Sequence, residues 1–251
     1  MPNHTLPSGA DIHYETYGNN DCFPLLLLAP GGLRSHIELW RYTHKGEDRP
    51  WPDPRIELKT FRIIAMDQRN AGRSRAPINA TDGWDTYAAD HLALLDHLGI
   101  DQFFVVGACI GSSFSLKLIE LAPQRVVAAV LQQPIGRVPE NEHLRGPSFN
   151  AWADVIREQR PDVDEAALEG LKRNLYTPDF VHSVSRDFVA SATTPLLVLA
   201  GNDLQHPKVI SQEIARLSPT ARYVENWSGP DHSHLYGKEI NAFLNAATPG
   251  V

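Results

Sequence analysis

At 251 residues, the chain is long enough for one large α/β domain or two small ones with a sizeable core. Its formal net charge of −7 at pH 7 argues against nucleic acid as a partner, which calls for a basic surface. No apolar run matches a bilayer's thickness, and Met1-Pro2-Asn3-His4 lacks the basic and apolar segments of a signal peptide, so a cytoplasmic protein with no membrane partner is expected.

Residues 4–17 read as a hairpin: a turn at Pro7-Ser8-Gly9, then Ile12, Tyr14 and Thr16 alternating with polar neighbours. Leu25 to Ala29 is a continuous apolar run, expected of a strand buried on both faces of a parallel sheet, and Pro30-Gly31-Gly32 ends it. Residues 34–60 are irregular and rich in Trp, Arg and Pro, which fits either a loop at a pocket mouth or a surface loop pinned by Trp40 and Trp51. Phe61 to Met66 is the next strand, followed by a tight turn from Asp67 to Ser74 and an amphipathic helix over 84–98 closed by Gly99.

Phe103 to Val106 is again strand-like and stops at Gly107. Cys109 and Gly111 follow, then Phe114, Leu118 and Leu121 at helical spacing, with Pro123 as the stop. Cys109 thus sits at the tip of a strand–turn–helix unit whose small neighbours leave room for a tight turn. The partial positive charge of the helix N-terminus favours thiolate, the reactive form of cysteine. The N–H of Ile110 would face an anion forming beside the sulfur.

Val126 to Leu131 is another buried strand. Residues 136–194 carry three amphipathic helical patterns, at 149–158, 165–175 and 178–190, and no strand. Leu196 to Ala200 is a strand with Asp203 beyond its carboxyl end, where parallel sheets hold ligands. Arg222 to Asn226 reads as the last strand, and Lys238 to Ala246 as the last helix. Two cysteines, Cys22 and Cys109, do not make a disulfide framework and suit a reducing compartment. The eleven histidines show no H-x-x-x-H or C-x-x-C spacing, so neither a metal nor another cofactor is expected.

Gly107-Ala108-Cys109-Ile110-Gly111 resembles the nucleophile elbow of the α/β-hydrolase superfamily, with cysteine where most members have serine. Leu27 to Gly32 is similar to the superfamily's strand and oxyanion loop, with Pro30 in place of the usual histidine. Asp67-Gln68-Arg69-Asn70-Ala71-Gly72-Arg73-Ser74 resembles its D-x-R-G-x-G-x-S turn, with Asn70 replacing the first glycine. The resemblance implies an eight-stranded, mostly parallel sheet flanked by helices. Residues 1–135 and 195–251 would be the core and 136–194 a helical cap. Asp67 and Arg69 would be structural. Cys109, Asp203 and a histidine after the last strand would be the catalytic triad. His232 fits the approach Gly229-Pro230-Asp231-His232 best, with His234 as the alternative base and His206 as a third candidate. Gly32, or Leu33 just after it, would supply the second oxyanion donor beside Ile110.

Cap residues such as Trp152, together with Leu33, would touch the substrate in a largely apolar pocket. The expected activity is cofactor-free hydrolysis of a small ester, thioester or lactone by a monomer or homodimer. A lyase, a decarboxylase, a carbon–carbon bond hydrolase and a non-catalytic small-ligand receptor are the alternatives on the same fold.

Overall fold

Eight strands form one sheet in the order β1-β2-β4-β3-β5-β6-β7-β8. They are β1 (Asn3–Thr5), β2 (Asp11–Tyr17), β3 (Pro24–Leu28), β4 (Arg62–Met66), β5 (Phe103–Ala108), β6 (Val126–Gln132), β7 (Leu196–Leu199) and β8 (Ala221–Val224). Pairing is antiparallel between β1 and β2 and between β2 and β4, and parallel everywhere else. The computed structural model describes residues 3–178 and 180–249, apart from the side chain of Arg145. Met1, Pro2 and Asp179, on which parts of the sequence reading fall, lie outside the described residues.

Apolar runs with no polar alternation are what a central parallel strand requires, because helices cover both of its faces. Leu25, Leu26, Leu27 and Leu28 accordingly split between two cores. Leu26 and Leu28 join Val105 and Val198 under α2 (Trp84–His97), α3 (Ile110–Leu121) and α7 (Lys208–Leu217). Leu25 and Leu27 join Phe104, Val106 and Leu197 under Trp40, Trp227 and α8 (Ser233–Ala247). The short α1 (Pro54–Glu57) starts at an Asp53 cap, whose carboxylate accepts the N–H of Arg55.

Three helices lie between β6 and β7: α4 (Glu142–Gln159), α5 (Glu165–Tyr176) and α6 (Arg186–Ser191). The first begins earlier than its apolar pattern and carries Pro147 inside it. The helical pattern at 178–190 does not hold as one helix. Phe180 (φ 60°) and His182 (φ 66°) are left-handed, and helix resumes only at Arg186, where the Ser185 hydroxyl accepts the N–H of Phe188. The last helix starts five residues before the expected Lys238 because His232 already serves as its N-cap. Among the described residues, no helix is long and apolar enough to cross a membrane.

The turn after β4 is structural, as its sequence suggests. Asp67 accepts the N–H groups of Ile37 and Arg73, both at 2.8 Å. Asn70 takes the left-handed position (φ 56°), where an asparagine is tolerated in place of glycine. Arg69 is buried and bridges two carboxylates, Asp82 at 3.0 Å and Asp90 at 2.8 Å. Replacing it strands two acids in a desolvated site. Arg69→Met should therefore lose about 3–5 kcal/mol of stability, read as a lower urea midpoint with an unchanged slope.

Candidate active site

The register of the sheet sets the carboxyl ends of the central strands side by side. Leu28 pairs with Gly107, Ala108 with Gln132, and Gln132 with Leu199. The residues just beyond these ends therefore share one edge. Cys109 is the first of them. Its backbone is left-handed (φ 58°, ψ −118°), a strained conformation for a residue with a side chain. The turn closes because its flanks are glycines. A Cβ on Gly107 would stand 2.1 Å from the Gly111 carbonyl, and a Cβ on Gly111 would stand 2.1 Å from the Leu28 carbonyl. The Cys109 N–H donates to the Gln132 carbonyl at 3.0 Å, and the Ser112 hydroxyl donates to the Gly107 carbonyl at 2.8 Å.

The loop after β6 contributes Gln133, also left-handed (φ 40°), whose N–H donates to the Leu199 carbonyl at 2.8 Å. Beyond β7, residues 201–206 form a tight loop. A Cβ on Gly201 would meet the His206 carbonyl at 2.1 Å, so the loop can fold back only on a glycine. Asp203 organises it: one carboxylate oxygen accepts the N–H groups of Gln205 and His206, each at 2.8 Å. The carboxylate also meets Nδ1 of His206 at 2.9 Å. The other ring nitrogen, Nε2, is buried with no oxygen or nitrogen partner among the described residues. It is left to the Cys109 thiol, the one further group with which His206 interacts strongly. The contact falls short of strict hydrogen-bond geometry, as resting catalytic pairs commonly do, yet the two groups are close enough to shift each other's titration.

Burial pushes the Cys109 thiol up. The His206 charge, its hydrogen bond and the backbone N–H groups of Gly31 and Ile110 outweigh that and hold the thiol below its ordinary range. Burial likewise pulls His206 down, but the Cys109 charge and the Asp203 carboxylate raise it to about 10. Asp203 is lifted by burial and lowered more by His206, ending below the usual carboxylate range. Both shifts run in the direction that favours a thiolate beside an imidazolium.

The structure thus brings Cys109 and Asp203 together with His206, and not with His232 or His234. The reason lies in the sheet: β8 is the edge strand, one place further from β5 than β7. The segment after β8 turns away as Trp227 buries its ring against Trp51 and Tyr236, its Nε1 donating to the Ala200 carbonyl at 2.8 Å. Gly229 then donates to Pro50, and His232 caps α8. Neither His232 nor His234 lines the cavity over Cys109. The backbone N–H groups of Gly31 and Ile110 bear on the sulfur, and Gly32 lines the cavity next to them.

That cavity encloses about 200 Å³. Its walls include Gly31, Gly32, Ile110, Gln133, Asn141 and Tyr176. The loop over 34–60 meets both of its readings, since Trp40 and Trp51 are buried while His44 and Arg49 line the cavity. Leu33 and Trp152 do not line it. Leu33 is buried in the core, and Trp152 donates its Nε1 to the Asn70 carbonyl at 3.2 Å and borders a neighbouring cleft. The walls are mixed: Pro30, Ile110, Ile135, Leu144 and Tyr176 give the expected apolar surface, and Arg34, His44, Arg49, Gln133, Asn141 and Ser148 line the same space. A larger surface cleft of about 700 Å³ beside α2 and α3 shares only His182 with it. No group of three His, Cys, Asp or Glu residues among those described is arranged to hold a metal ion.

The family model described as alpha/beta hydrolase fold matches residues 24–241. Among curated proteins, the chain is 34% identical over 145 residues to a proline iminopeptidase of Neisseria gonorrhoeae, covering 56% of this chain and 39% of that one. It is 33% identical over 140 residues to the dihydrolipoyllysine-residue acetyltransferase component of an acetoin cleaving system of Pseudomonas putida, covering 55% of this chain and 34% of that one. The matches thus span about two-fifths or less of those relatives' lengths. Among solved structures, it resembles a meta-cleavage product hydrolase from Pseudomonas fluorescens, with a TM-score of 0.70 at 17% identity, covering 99% and 98% of the two chains. The enol-lactonase from Burkholderia xenovorans gives a TM-score of 0.67 at 22% identity, covering 97% and 100%. Likeness at these identities is a likeness of fold.

Alkylation of Cys109 by iodoacetamide against pH, read by peptide mass spectrometry, checks the pair. Thiolate forms as pH rises through the Cys109 pKa, so the wild type should react with a midpoint below about 8.5, the ordinary thiol value. In His206→Ala, burial acts without its counterweight and the midpoint should move above that value. His232→Ala should leave it in place.

Proposed function

The chain belongs to the α/β-hydrolase fold family, and from that premise we propose that it is a hydrolase working through a covalent S-acyl intermediate on Cys109. The observation that carries the reading is that His206, held by Asp203 at 2.9 Å, shares one cavity with Cys109 at the tip of the strained elbow turn, each group shifting the other's titration. The thiolate sulfur attacks a substrate carbonyl carbon, and the carbonyl π electrons move to oxygen. The N–H of Ile110 and the N–H groups at Gly31 and Gly32 hold that oxyanion. As the tetrahedral intermediate collapses, the bond to the leaving oxygen or sulfur breaks, and His206 gives its Nε2 proton to the departing atom. His206, now neutral, takes a proton from water, and the resulting hydroxide attacks the S-acyl carbon. The thiolate leaves, the carboxylic acid departs, and the imidazolium is restored. Asp203 keeps Nδ1 as the donor throughout and stabilises the charged ring.

A thiolate is itself a good leaving group. The tetrahedral intermediate returns to starting material unless the competing group leaves at least as well. Esters with stabilised leaving groups, thioesters and lactones meet that condition; simple amides do not. Aminopeptidase action, suggested by the names of the iminopeptidase relatives, fits the walls less well. A substrate α-ammonium calls for a carboxylate partner, and the described residues lining the cavity include neither Asp nor Glu. Helices α4 and α5 contribute Leu144, Ser148 and Tyr176 to the walls, so the segment between β6 and β7 acts as a cap over the site.

Intact-mass spectrometry during turnover of a p-nitrophenyl ester should show a transient adduct of one acyl group on Cys109. Turnover of the ester with no adduct under rapid quench would overturn the covalent reading. The pH profile of kcat/KM should rise through the lowered Cys109 pKa and form a plateau. It should fall near the His206 value of about 10, because above it the imidazole no longer holds the proton the leaving group needs. Cys109→Ala should reduce kcat by about 10⁴-fold or more.

A further inference from the structure

We propose that the Cys109 cavity recognises a substrate carrying a carboxylate, which Arg34 and Arg49 bind beside the reacting carbonyl. This deepens the hydrolase reading and rests on it for the chemistry at Cys109, but the binding of the anion itself stands on separate observations.

The chain has a net charge of −7, yet among the described residues the walls of this cavity contain no Asp or Glu and present Arg34, Arg49, His44 and His206. Arg49 is half-buried and held in place. Its Nε donates to the carbonyls of Leu39 and Tyr42, each at 3.1 Å, and its guanidinium lies 5.2 Å from the centroid of the Trp51 ring. Those bonds use only Nε. The two terminal nitrogens have no acceptor among the described residues, and Arg49 has no ion pair there either. A guanidinium fixed by its Nε and stacked on an aromatic ring, with its outer edge free, is pre-organised to take a carboxylate by two parallel bonds. Burial pulls Arg49 down and the Cys109 charge counters it, so guanidinium and sulfur share one electrostatic environment.

Arg34 lines the same cavity, exposed and without a carboxylate partner among the described residues. It also borders the adjoining cleft of about 270 Å³, whose walls include Arg75 and Arg160 and, among the described residues, again no acid. Partial desolvation and the positive charges of Arg34 and His36 push His44 down to about 4, so at neutral pH it is a neutral hydrogen-bonding group between the arginines. Ion pairing of the arginines with the chain's own acids would have cancelled this field. Arg160 is paired with Asp162 at 2.7 Å, whereas Arg34 and Arg49 have no ion pair among the described residues, as an anion-binding wall requires. A cavity of about 200 Å³ suits a short acyl group, such as the half-ester or half-thioester of a small dicarboxylic acid, or a lactone bearing a carboxylate.

An alternative role for Arg49 is to stabilise the thiolate alone, and the test separates the two. Inactivation of Cys109 would be followed with iodoacetate and with its neutral counterpart iodoacetamide, each rate divided by the rate of the same reagent with glutathione. The proposal expects the corrected rate for iodoacetate to exceed that for iodoacetamide about tenfold or more, to saturate, and to be suppressed by glutarate but not by glutaramide. Arg49→Gln and, separately, Arg34→Gln should bring the ratio toward one; the exposed Arg34 variant covers the case in which loss of Arg49 unfolds the loop. A role in thiolate stabilisation alone would slow both reagents in Arg49→Gln and leave the ratio unmoved, which overturns the proposal. So does a wild-type ratio of one or below. Titration calorimetry of glutarate into Cys109→Ser tests the anion site without the thiol. Binding of glutarate weakened in the arginine variants supports the site even if Cys109 proves inert, an outcome that would sink the hydrolase reading alone. Failure to bind glutarate by a protein that hydrolyses neutral esters would sink the site alone.

Discussion

Strand β5 passes directly into helix α3 with a single residue between them, and that residue, Cys109, is left-handed at φ 58°. The strain of that conformation is held by the strand and helix on either side, and it is tolerable only because Gly107 and Gly111 let the backbones of the elbow and of β3 close to contact distance. Everything else in the site is referred to that point. The turn lifts the sulfur clear of the sheet and places it at the first amides of a helix. It also fixes which neighbouring loops can reach the thiol: those after β6 and β7 on one side and the one after β3 on the other. Gln133, His206 and Gly31 are the residues these loops supply.

Carrying Asp203 and His206 on one loop has a mechanical consequence. Asp203 accepts two backbone N–H groups of the turn and the ring nitrogen of His206, so the bonds that shape the loop also orient the imidazole. Gly201 enforces the fold-back, and its N–H is taken by the Ser211 hydroxyl at 3.0 Å at the start of α7. Triads whose acid and base come from different strands depend on the relative placement of two loops. Here one six-residue segment sets both, and only its distance from Cys109 depends on the rest of the sheet. Asp203 is the exposed member, with about half its side-chain surface accessible. Its hold on His206 is therefore weakened by solvent and rests on the backbone bonds that keep the carboxylate in place.

The fold was legible because its signals are local. Continuous apolar runs marked the central strands, glycine spacing marked the elbow, and the Asp67–Ser74 turn showed its structural character in residue types that have one use in such a turn. The base was not legible in the same way. His206 and His232 both follow strands and both precede helices, and Gly229-Pro230-Asp231-His232 looked more like a loop built to present a ring. The deciding facts are three-dimensional: β8 is an edge strand, Trp227 fills the space at its end, and Gly201 folds the shorter loop back toward Cys109. The spacing Asp203…His206 was itself the available signal, since an acid three residues before a histidine can cap the turn and hold the ring at once. Leu33 and Trp152 misled for a simpler reason. Large apolar residues near a site are more often packed than presented, and the helical pattern around Trp152 cannot say which neighbour its ring meets.

The polar groups in the cavity wall follow from the same limits. Apolar residues in the segment between β6 and β7 do what apolar residues do: Phe149, Trp152, Ile156, Leu168 and Leu171 seal that segment onto the main domain and are buried. The cavity is walled by what packing does not consume, which is mainly backbone at tight turns and side chains that must keep a polar end in solvent. Arg49 illustrates the selection. Its stem and Nε are used in folding, bonded to Leu39 and Tyr42 and stacked on Trp51, while its charge is left facing the space above Cys109. Removing water from such a space strengthens each remaining charge. A thiolate and an imidazolium would cancel each other to first order; Arg34 and Arg49 have no counter-charge among the described residues, and the positive field they leave is what the proposed carboxylate would meet.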